Sequence, residues 1–318
     1  MLHYEPKDLT VPEVHRFLLG GVAPRPIALA STISADGINN LSPFSFFNAF
    51  GANPPIVAFS PSRRGTNATL KDTYNNLIST KECVINVVTH SMVEQVSLAS
   101  AEFPPDVDEF IKSGLTPTDS DLVKPKRVKE SPFQMECKLL EMKSFGEGSA
   151  SANLAICEVL KFHVDDNIFT NGIIDPVKID LVARMSANYY SRASEGVFIV
   201  EKPIGKKCIG YDQIPLHIRQ SEVYSGNDLG KFGNSESILA QEEVKSFIKK
   251  TIEEIPGNFN PDYEAFLKFQ EMNDYKKMLQ SALSIEGNKK KNLKFTAKCA
   301  LKNNDVEFAW KVALFAGL

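Results

Sequence analysis

The apolar residues near the start of the chain recur at every second position. Ile27, Leu29 and Ile33 fall on one face of residues 26–34, and Asp36-Gly37 follows directly. This alternation is typical of a half-buried β-strand, and an Asp-Gly pair is typical of a hairpin turn. Residues 26–34 therefore predict a strand that enters a hairpin.

Two further strands are predicted at residues 39–46 and 56–60, on either side of the chain break at Asn53-Pro54-Pro55. Pro43 argues against central pairing, as Pro55 does, because proline cannot donate to the hydrogen-bond ladder. The hydroxyl and amide side chains of residues 39–46 suit a strand edge that faces a polar aromatic ligand. Together the three strands are expected to form a compact meander.

A helix is predicted at residues 66–80, where Leu70, Tyr74 and Leu77 form one apolar stripe. The segment 102–130 is rich in proline and aspartate, so it predicts a long surface excursion. Long loops of this kind often act as lids or contact partners.

Four later segments are predicted to be strands that close and complete a barrel, at residues 133–142, 149–164, 177–191 and 197–200. Within the second of these segments, Leu154, Ile156 and Leu160 are the candidates for the barrel core.

Beyond residue 203 the apolar spacing becomes helical, and Asn260-Pro261 is a favourable helix start. The last stretch, residues 293–314, fits two interpretations. Its apolar residues alternate as in a strand, yet Val306, Ala309 and Trp310 also fit a helix, and its alanines favour the helix.

The amino-acid composition limits the classes of function that this protein is expected to have. The chain has 318 residues, 43% of them hydrophobic and 24% charged, which is ordinary for a soluble globular protein of about two domains. A formal charge of -3 gives no support for a nucleic-acid or anionic-membrane surface, which needs a clustered basic face. No apolar run is long enough to span a bilayer and no leader precedes Tyr4, so a cytoplasmic protein is expected.

Metal and dinucleotide motifs are missing from the sequence. The five cysteines are scattered without a CxxC pair and predict reduced core residues, and the five histidines show no ligand spacing. No metal site is therefore expected. Gly146-Glu147-Gly148 lacks the third glycine of a dinucleotide fingerprint.

The residues of the meander, with Arg63-Arg64-Gly65-Thr66 and Lys71-Asp72-Thr73 downstream, resemble the flavin reductase-like family of FMN-binding split barrels, and within it the flavoredoxin-like members. The resemblance extends to about residue 200. It implies a mainly β fold, an FMN-binding split β-barrel with peripheral helices at residues 1–202. Residues 203–318 would then be a mostly helical C-terminal extension, whose role the sequence does not reveal.

The resemblance also implies a set of FMN-binding residues. Arg63, with the backbone donors at the start of the predicted helix 66–80, would bind the phosphate, and Lys71 and Thr73 are assigned by resemblance alone. The residues implied at the flavin ring are Ser42, Pro43, Phe44, Ser45, Phe59 and Ser60. Arg25 would contact the ring edge or the phosphate, or form a structural ion pair.

Plainer interpretations of these residues stay open. The alternative interpretation is that the three basic residues are surface charges: Arg63, Arg64 and Lys71. The serines of the strands would then be solvent-facing residues. His163 fits a satisfied barrel histidine better than a substrate-orienting group. No catalytic residue is assigned, because a flavin accepts the hydride at its own ring.

Three functions follow from the resemblance. The first is an NAD(P)H-dependent flavin reductase, in which NADH or NADPH stacks on FMN in a cleft shared by a homodimer. The second is a flavoredoxin-like electron carrier that docks a redox protein partner without nicotinamide turnover. The third is a scaffold that has lost its cofactor, since Met185, Ser186 and Ala187 stand where the family pattern after Arg184 has glycines.

Overall fold

The computed structural model describes residues 1–318 and divides them into two compact units, Met1–Ile199 and Val200–Leu318. The first unit contains the helices α1 (Val11–Gly21), α2 (Asp72–Thr80), α3 (Val93–Leu98) and α4 (Glu109–Ser113). Its longer strands are β1 (Ala28–Ile33), β2 (Asn39–Phe44), β3 (Phe47–Ala52), β4 (Pro55–Phe59), β5 (Glu82–Val87), β8 (Phe133–Phe145) and β9 (Ala152–Val164). Its short strands are β6 (Pro117–Thr118), β7 (Arg127–Val128), β10 (Phe169–Thr170), β11 (Ile173–Ile174), β12 (Val182–Arg184) and β13 (Tyr190–Arg192).

The seven longer strands form one antiparallel sheet in the order β2-β1-β5-β8-β9-β4-β3. Register shifts between Glu136 and Cys137 and between Leu139 and Glu141 interrupt the long β8–β9 pair, and such bulges bend a sheet. The predicted closure of the barrel is wrong, because β2 and β3 do not pair. Residues 177–191 instead contribute to the separate hairpin β12–β13, and residues 197–200 form no strand.

Strand β3 was not expected from the sequence. It pairs with β4, and the expected compact meander is wrong, because the hairpins β1–β2 and β3–β4 lie at opposite edges of the sheet. Pro43 lies in the edge strand β2, and Pro55 is the first residue of β4. Asn48, Ala49 and Gly51 have weak strand propensity, which explains the omission.

The start of the helix predicted at residue 66 is also wrong. Helix α2 begins at Asp72, and the preceding residues form a turn in which Asn67 Oδ1 accepts the Thr69 N–H at 3.1 Å. Asparagine favours such turns because its side chain replaces a backbone acceptor. Lys71 consequently occupies the N-cap position of α2, without a side-chain capping hydrogen bond, and Thr73 lies in the first turn of the helix.

The face of β9 that is buried in the core is not the predicted one. Ala155, Cys157 and Val159 are buried, whereas Leu154, Ile156 and Leu160, the predicted core residues, point outward. Both faces of this strand are apolar, so the alternation does not determine which one is buried.

The excursion at residues 102–130 is anchored to the sheet. Glu136, fully buried in β8, accepts the backbone N–H groups of Asp121 at 2.8 Å and of Leu122 at 2.6 Å, and it lies 2.6 Å from His163 Nε2. Burial favours a higher pKa for Glu136, but these hydrogen bonds outweigh it and lower the pKa. His163 is therefore a structural partner of this carboxylate.

The second unit is a bundle of seven helices: α5 (Leu216–Arg219), α6 (Gly226–Gly233), α7 (Gln241–Glu253), α8 (Tyr263–Glu271), α9 (Tyr275–Ser284), α10 (Lys289–Lys302) and α11 (Val306–Phe315). The helical interpretation of residues 293–314 is confirmed. Trp310, Phe232 and Phe266 lie in its core. Helix α8 starts later than Asn260-Pro261, because Asp262 caps it by accepting the Ala265 N–H. None of the helices combines the length and hydrophobicity that a membrane crossing needs.

Candidate functional site

Arg25 joins three distant segments of the first unit. Its guanidinium donates to the carbonyls of Leu19 (2.5 Å) and Val22 (2.6 Å) at the end of α1, to the Met185 carbonyl (2.9 Å) and to Ser45 Oγ (3.3 Å). Only 4% of Arg25 is exposed, and burial together with Arg184 lowers its pKa. The partners are carbonyls and one hydroxyl, so the expected ion pair is not formed.

A narrow polar cleft of about 30 Å³ lies where α2 begins. Three of the predicted residues, Ser42, Lys71 and Thr73, line it. The other lining residues come from β2, the Arg64 loop, α2, the segment after α3, and α4: Asn40, Arg64, Asp72, Ala99, Ser100, Ala101, Glu102, Phe103 and Glu109. The structure thus brings together residues from five separate stretches of sequence.

Lys71 has no carboxylate within ion-pairing distance, although it is half-buried. Its Nζ lies 6.0 Å from the centre of the Phe44 ring, and burial, followed by the nearby Arg64, lowers its pKa. The backbone N–H groups of Asp72 and Thr73 at the start of α2 also have no protein acceptor. Glu102 and Asp72 offset part of the Lys71 charge but do not pair with it. An ammonium without an ion-pairing partner beside a helix N-terminus is a favourable environment for an anion.

Asn40 fixes the walls of the cleft. Its amide oxygen accepts the Thr73 hydroxyl at 2.8 Å, and its amide nitrogen donates to Glu109 Oε1 at 3.0 Å. The other oxygen of Glu109 accepts the Leu41 N–H at 3.0 Å. Burial raises the pKa of Glu109. These contacts hold the start of α2 and all of α4 against the edge strand β2.

A second and larger cavity, of about 440 Å³, lies between α1 and the outward face of the sheet. Ser60 is the one predicted residue that lines it, and its hydroxyl lies 2.9 Å from that of Ser62. The remaining lining residues are Pro6, Leu9, Val11, Val14, His15, Leu18, Phe46, Phe145, Ala150, Ala152 and Leu154.

The other predicted residues lie outside both cavities. Phe44 and Phe59 are core residues whose rings are 5.3 Å apart, so only their backbones are available to a ligand. Pro43 is half-buried in β2. Arg63 donates from Nη1 to the Ala68 carbonyl at 2.9 Å, while its buried Nε has no partner. A buried donor without an acceptor is costly and suits a ligand oxygen.

In the segment after Arg184, one residue other than glycine has a backbone conformation that favours glycine. Ala187 has a φ of +47°, a left-handed value that costs an alanine roughly 1–2 kcal/mol. The turn that it forms is closed by the hydrogen bond from the Tyr189 N–H to the Ser186 carbonyl.

Sequence reasoning missed Asn40, Glu109 and the cavity residue His15. Glu109 and Asn40 are 69 positions apart, and no local pattern links them. Arg64 is part of the motif that carries the resemblance but is not among the predicted site residues, yet it lines the cleft, where it pairs with Asp72 at 3.2 Å.

Comparison with known proteins gives consistent matches over the first unit. A family model described as "Flavin reductase like domain" matches residues 20–188. An uncharacterized protein of Aquifex aeolicus is 40% identical over 181 residues, which cover 57% of this chain and 90% of the relative.

Two solved structures share the fold and exceed 25% identity. Nitrilotriacetate monooxygenase component B from Bacillus cereus is 30% identical with a TM-score of 0.59, covering 63% of this chain and 98% of that one. A Shewanella frigidimarina structure described as a flavin reductase with a split barrel domain is 28% identical with a TM-score of 0.54, covering 64% and 99%.

Replacing Arg25 tests its role as an anchor. Arg25→Met leaves the part-buried carbonyls of Leu19, Val22 and Met185 without their arginine donor, so we expect a loss of about 3 kcal/mol in unfolding free energy. Amide hydrogen exchange should also accelerate in α1. The measurement is urea unfolding, and the control is Arg16→Met, a change at an exposed position of α1. Equal unfolding midpoints for both variants would contradict the anchoring role.

Proposed function

Because the chain belongs to the flavin reductase-like domain family, we propose that it is an FMN-binding oxidoreductase that takes electrons from NADH or NADPH. The observation that carries this proposal is Lys71, a half-buried cation that has no ion-pairing carboxylate and occupies the N-cap position of α2 without a side-chain capping hydrogen bond. A phosphate is the kind of group that removes the cost of such a charge.

The polar cleft supplies the donors that a phosphate needs. Lys71, Arg64 and the free N–H groups of Asp72 and Thr73 would bind it, and the Ser42 hydroxyl is a further donor. The unpartnered Nε of Arg63 offers one more hydrogen bond from the neighbouring loop. The cleft admits only a small group, which agrees with a phosphate and excludes the flavin ring from it.

The remaining predicted residues would position the ring. Pro43, Phe44 and Phe59 would contribute backbone, and the hydroxyls of Ser45 and Ser60 would contribute hydrogen bonds. Arg25 holds Ser45 in place and has no role in binding the phosphate. When bound, FMN accepts the hydride at its own ring, so the protein needs only to bind it, orient it and limit water.

We further propose that the protein is a homodimer. The outward face of β9 carries Leu154, Ile156, Leu160 and Phe162 on either side of Glu158, and Leu160 and Phe162 are 41% and 49% exposed. Exposed apolar residues grouped on one face of a sheet are typical of a protein interface. A second copy of the chain would cover this face.

The test of the activity is anaerobic titration of the FMN-loaded protein with NADH and then with NADPH. Bleaching of the visible flavin bands by either nucleotide is the expected result and identifies the donor. Bands that persist after both additions would exclude the reductase and favour an FMN electron carrier.

Removing the Lys71 charge should weaken FMN binding. We expect Lys71→Met to raise the FMN dissociation constant by about tenfold or more, the equivalent of one charge-assisted contact. Lys81→Met, at the opposite end of α2, should leave it unchanged. The measurement is quenching of flavin fluorescence. Equal dissociation constants for the two variants would remove Lys71 from the site.

The same substitution should not destabilise the FMN-free protein. Because the pKa of Lys71 is lower in the folded chain, its protonated form opposes folding, and stability should increase as the pH rises through that lowered pKa. Lys71→Met should abolish this part of the pH dependence in urea unfolding.

Charging the outward face of β9 should dissociate the dimer. Leu160→Lys is expected to halve the mass measured by light scattering, because an ammonium buried at an apolar interface is costly. Ile173→Lys, a similar change at an exposed residue of β11, is the control. A wild-type protein that is already monomeric would refute the proposal.

A further inference from the structure

Arg184 carries a guanidinium that has no acceptor in the protein. The residue is half-buried in β12, yet no carboxylate lies within ion-pairing distance of it, and its side chain donates no hydrogen bond within the protein. The guanidinium stacks on an aromatic ring instead, with Cζ 4.6 Å from the centre of the Tyr190 ring. Stacking fixes the plane of the group and leaves its N–H donors free.

Arg25, Arg184 and Tyr190 form a row of side chains on one face. Arg25 and Arg184 exchange two backbone hydrogen bonds, at 3.0 and 2.9 Å, and Arg184 is paired directly with Tyr190 in the β12–β13 hairpin. Residues directly opposite each other on antiparallel strands point to the same face. Arg25 is 4% exposed and Tyr190 is 42% exposed, so the row leads from the interior to the surface.

The inner end of this row lies beside the proposed position of the flavin ring. Arg25 Nε donates to Ser45 Oγ at 3.3 Å, and Arg25 Cζ lies 6.0 Å from the centre of the Phe46 ring. Phe46 lines the larger cavity together with Ser60. Because Ser45 and Ser60 are the hydroxyls proposed to contact the ring, a molecule that reaches the ring from this side would extend outward past Arg184.

The two arginines of the row differ in how their charges are compensated. Arg25 donates to three carbonyls, whereas Arg184 adds a second positive charge directly opposite Arg25 across the strand pair. Burial and then the nearby Arg184 lower the pKa of Arg25. Like charges at opposite positions destabilise a strand pair, so an anion bound to Arg184 would relieve this repulsion.

We infer that Arg184 binds the diphosphate of the nicotinamide dinucleotide that donates the hydride. This inference rests on the proposed function. A guanidinium fits phosphate oxygens because its planar group of donors can bind two of them at once. The FMN phosphate does not need this group, since the polar cleft supplies Lys71 and Arg64. Arg184 holds the donor and takes no part in the hydride transfer itself.

The experiment compares two hydride donors with the FMN-loaded protein. One is NADH or NADPH, whichever reduces the wild-type protein, and the other is 1-benzyl-1,4-dihydronicotinamide, which has the same reactive ring and no phosphate. We expect Arg184→Met to raise the KM for the dinucleotide by about tenfold or more, the equivalent of one bidentate contact. The rate with the uncharged donor should not change.

A binding measurement accompanies the kinetics. Isothermal titration calorimetry with the oxidised dinucleotide, which transfers no hydride, should show a dissociation constant about tenfold or more higher for Arg184→Met than for the wild type. Arg184→Lys keeps the charge without the planar group of donors and should give a smaller increase. Arg16→Met, which removes a charge from an exposed position of α1, is the control and should have no effect.

Several results would overturn the inference. Equal dinucleotide KM values and dissociation constants for Arg184→Met and the wild type would remove Arg184 from the donor site. Equal slowing with both donors would show that Arg184 acts on the flavin ring or on the fold. Weaker FMN binding by Arg184→Met would assign the residue to FMN instead. All of these results leave the proposed function in place, whereas a wild-type protein that neither dinucleotide reduces refutes both.

Discussion

A buried guanidinium holds together the part of the fold that carries both cavities. Arg25 ends helix α1 by donating to its last carbonyls, which is the position where the helix dipole favours a positive charge. The same side chain binds the Met185 carbonyl and Ser45. Since α1 buries none of its own residues, its position depends strongly on these hydrogen bonds. Arginine suits this role because its five donors spread in fixed directions.

The polar cleft contains a carboxyl group with satisfied hydrogen bonds and an ammonium group without a hydrogen-bond acceptor. Glu109 accepts hydrogen bonds from Asn40 and from the Leu41 backbone. Lys71, which lines the same cleft, has no comparable partner. The two groups belong to elements that pack on the same strand, so their separation is set by the fold. A site built in this way would hold the proposed anion-binding group in place before a ligand arrives.

Local patterns predicted the elements whose residues lie close in sequence. Strands β1, β2 and β4 follow from alternation and turn chemistry, and the helices of the second unit follow from their spacing. Strand β3 does not follow from a local pattern, because its residues gain strand geometry only by pairing with β4. The face of β9 that is buried could not be read from a strand with apolar residues on both sides.

The candidate site was predictable to a similar extent. Resemblance to a family brought together Ser42, Lys71 and Thr73, and the structure places all three in one cleft. It could not indicate Glu109, whose contact with Asn40 depends on how a 29-residue excursion folds back on the sheet. The resemblance also could not show that Ser60 lies apart from Ser42, Lys71 and Thr73, in the other cavity.

The open sheet has one protected edge and one bare edge. On β2, Glu109 accepts the Leu41 N–H and α4 covers the strand, whereas β3 presents five exposed residues, Asn48 to Ala52, with no element beside them. Unpaired strand edges are templates for aggregation. During expression and concentration, unwanted strand addition would therefore begin at β3, and a lysine introduced there would be a solubilising change that leaves both cavities intact.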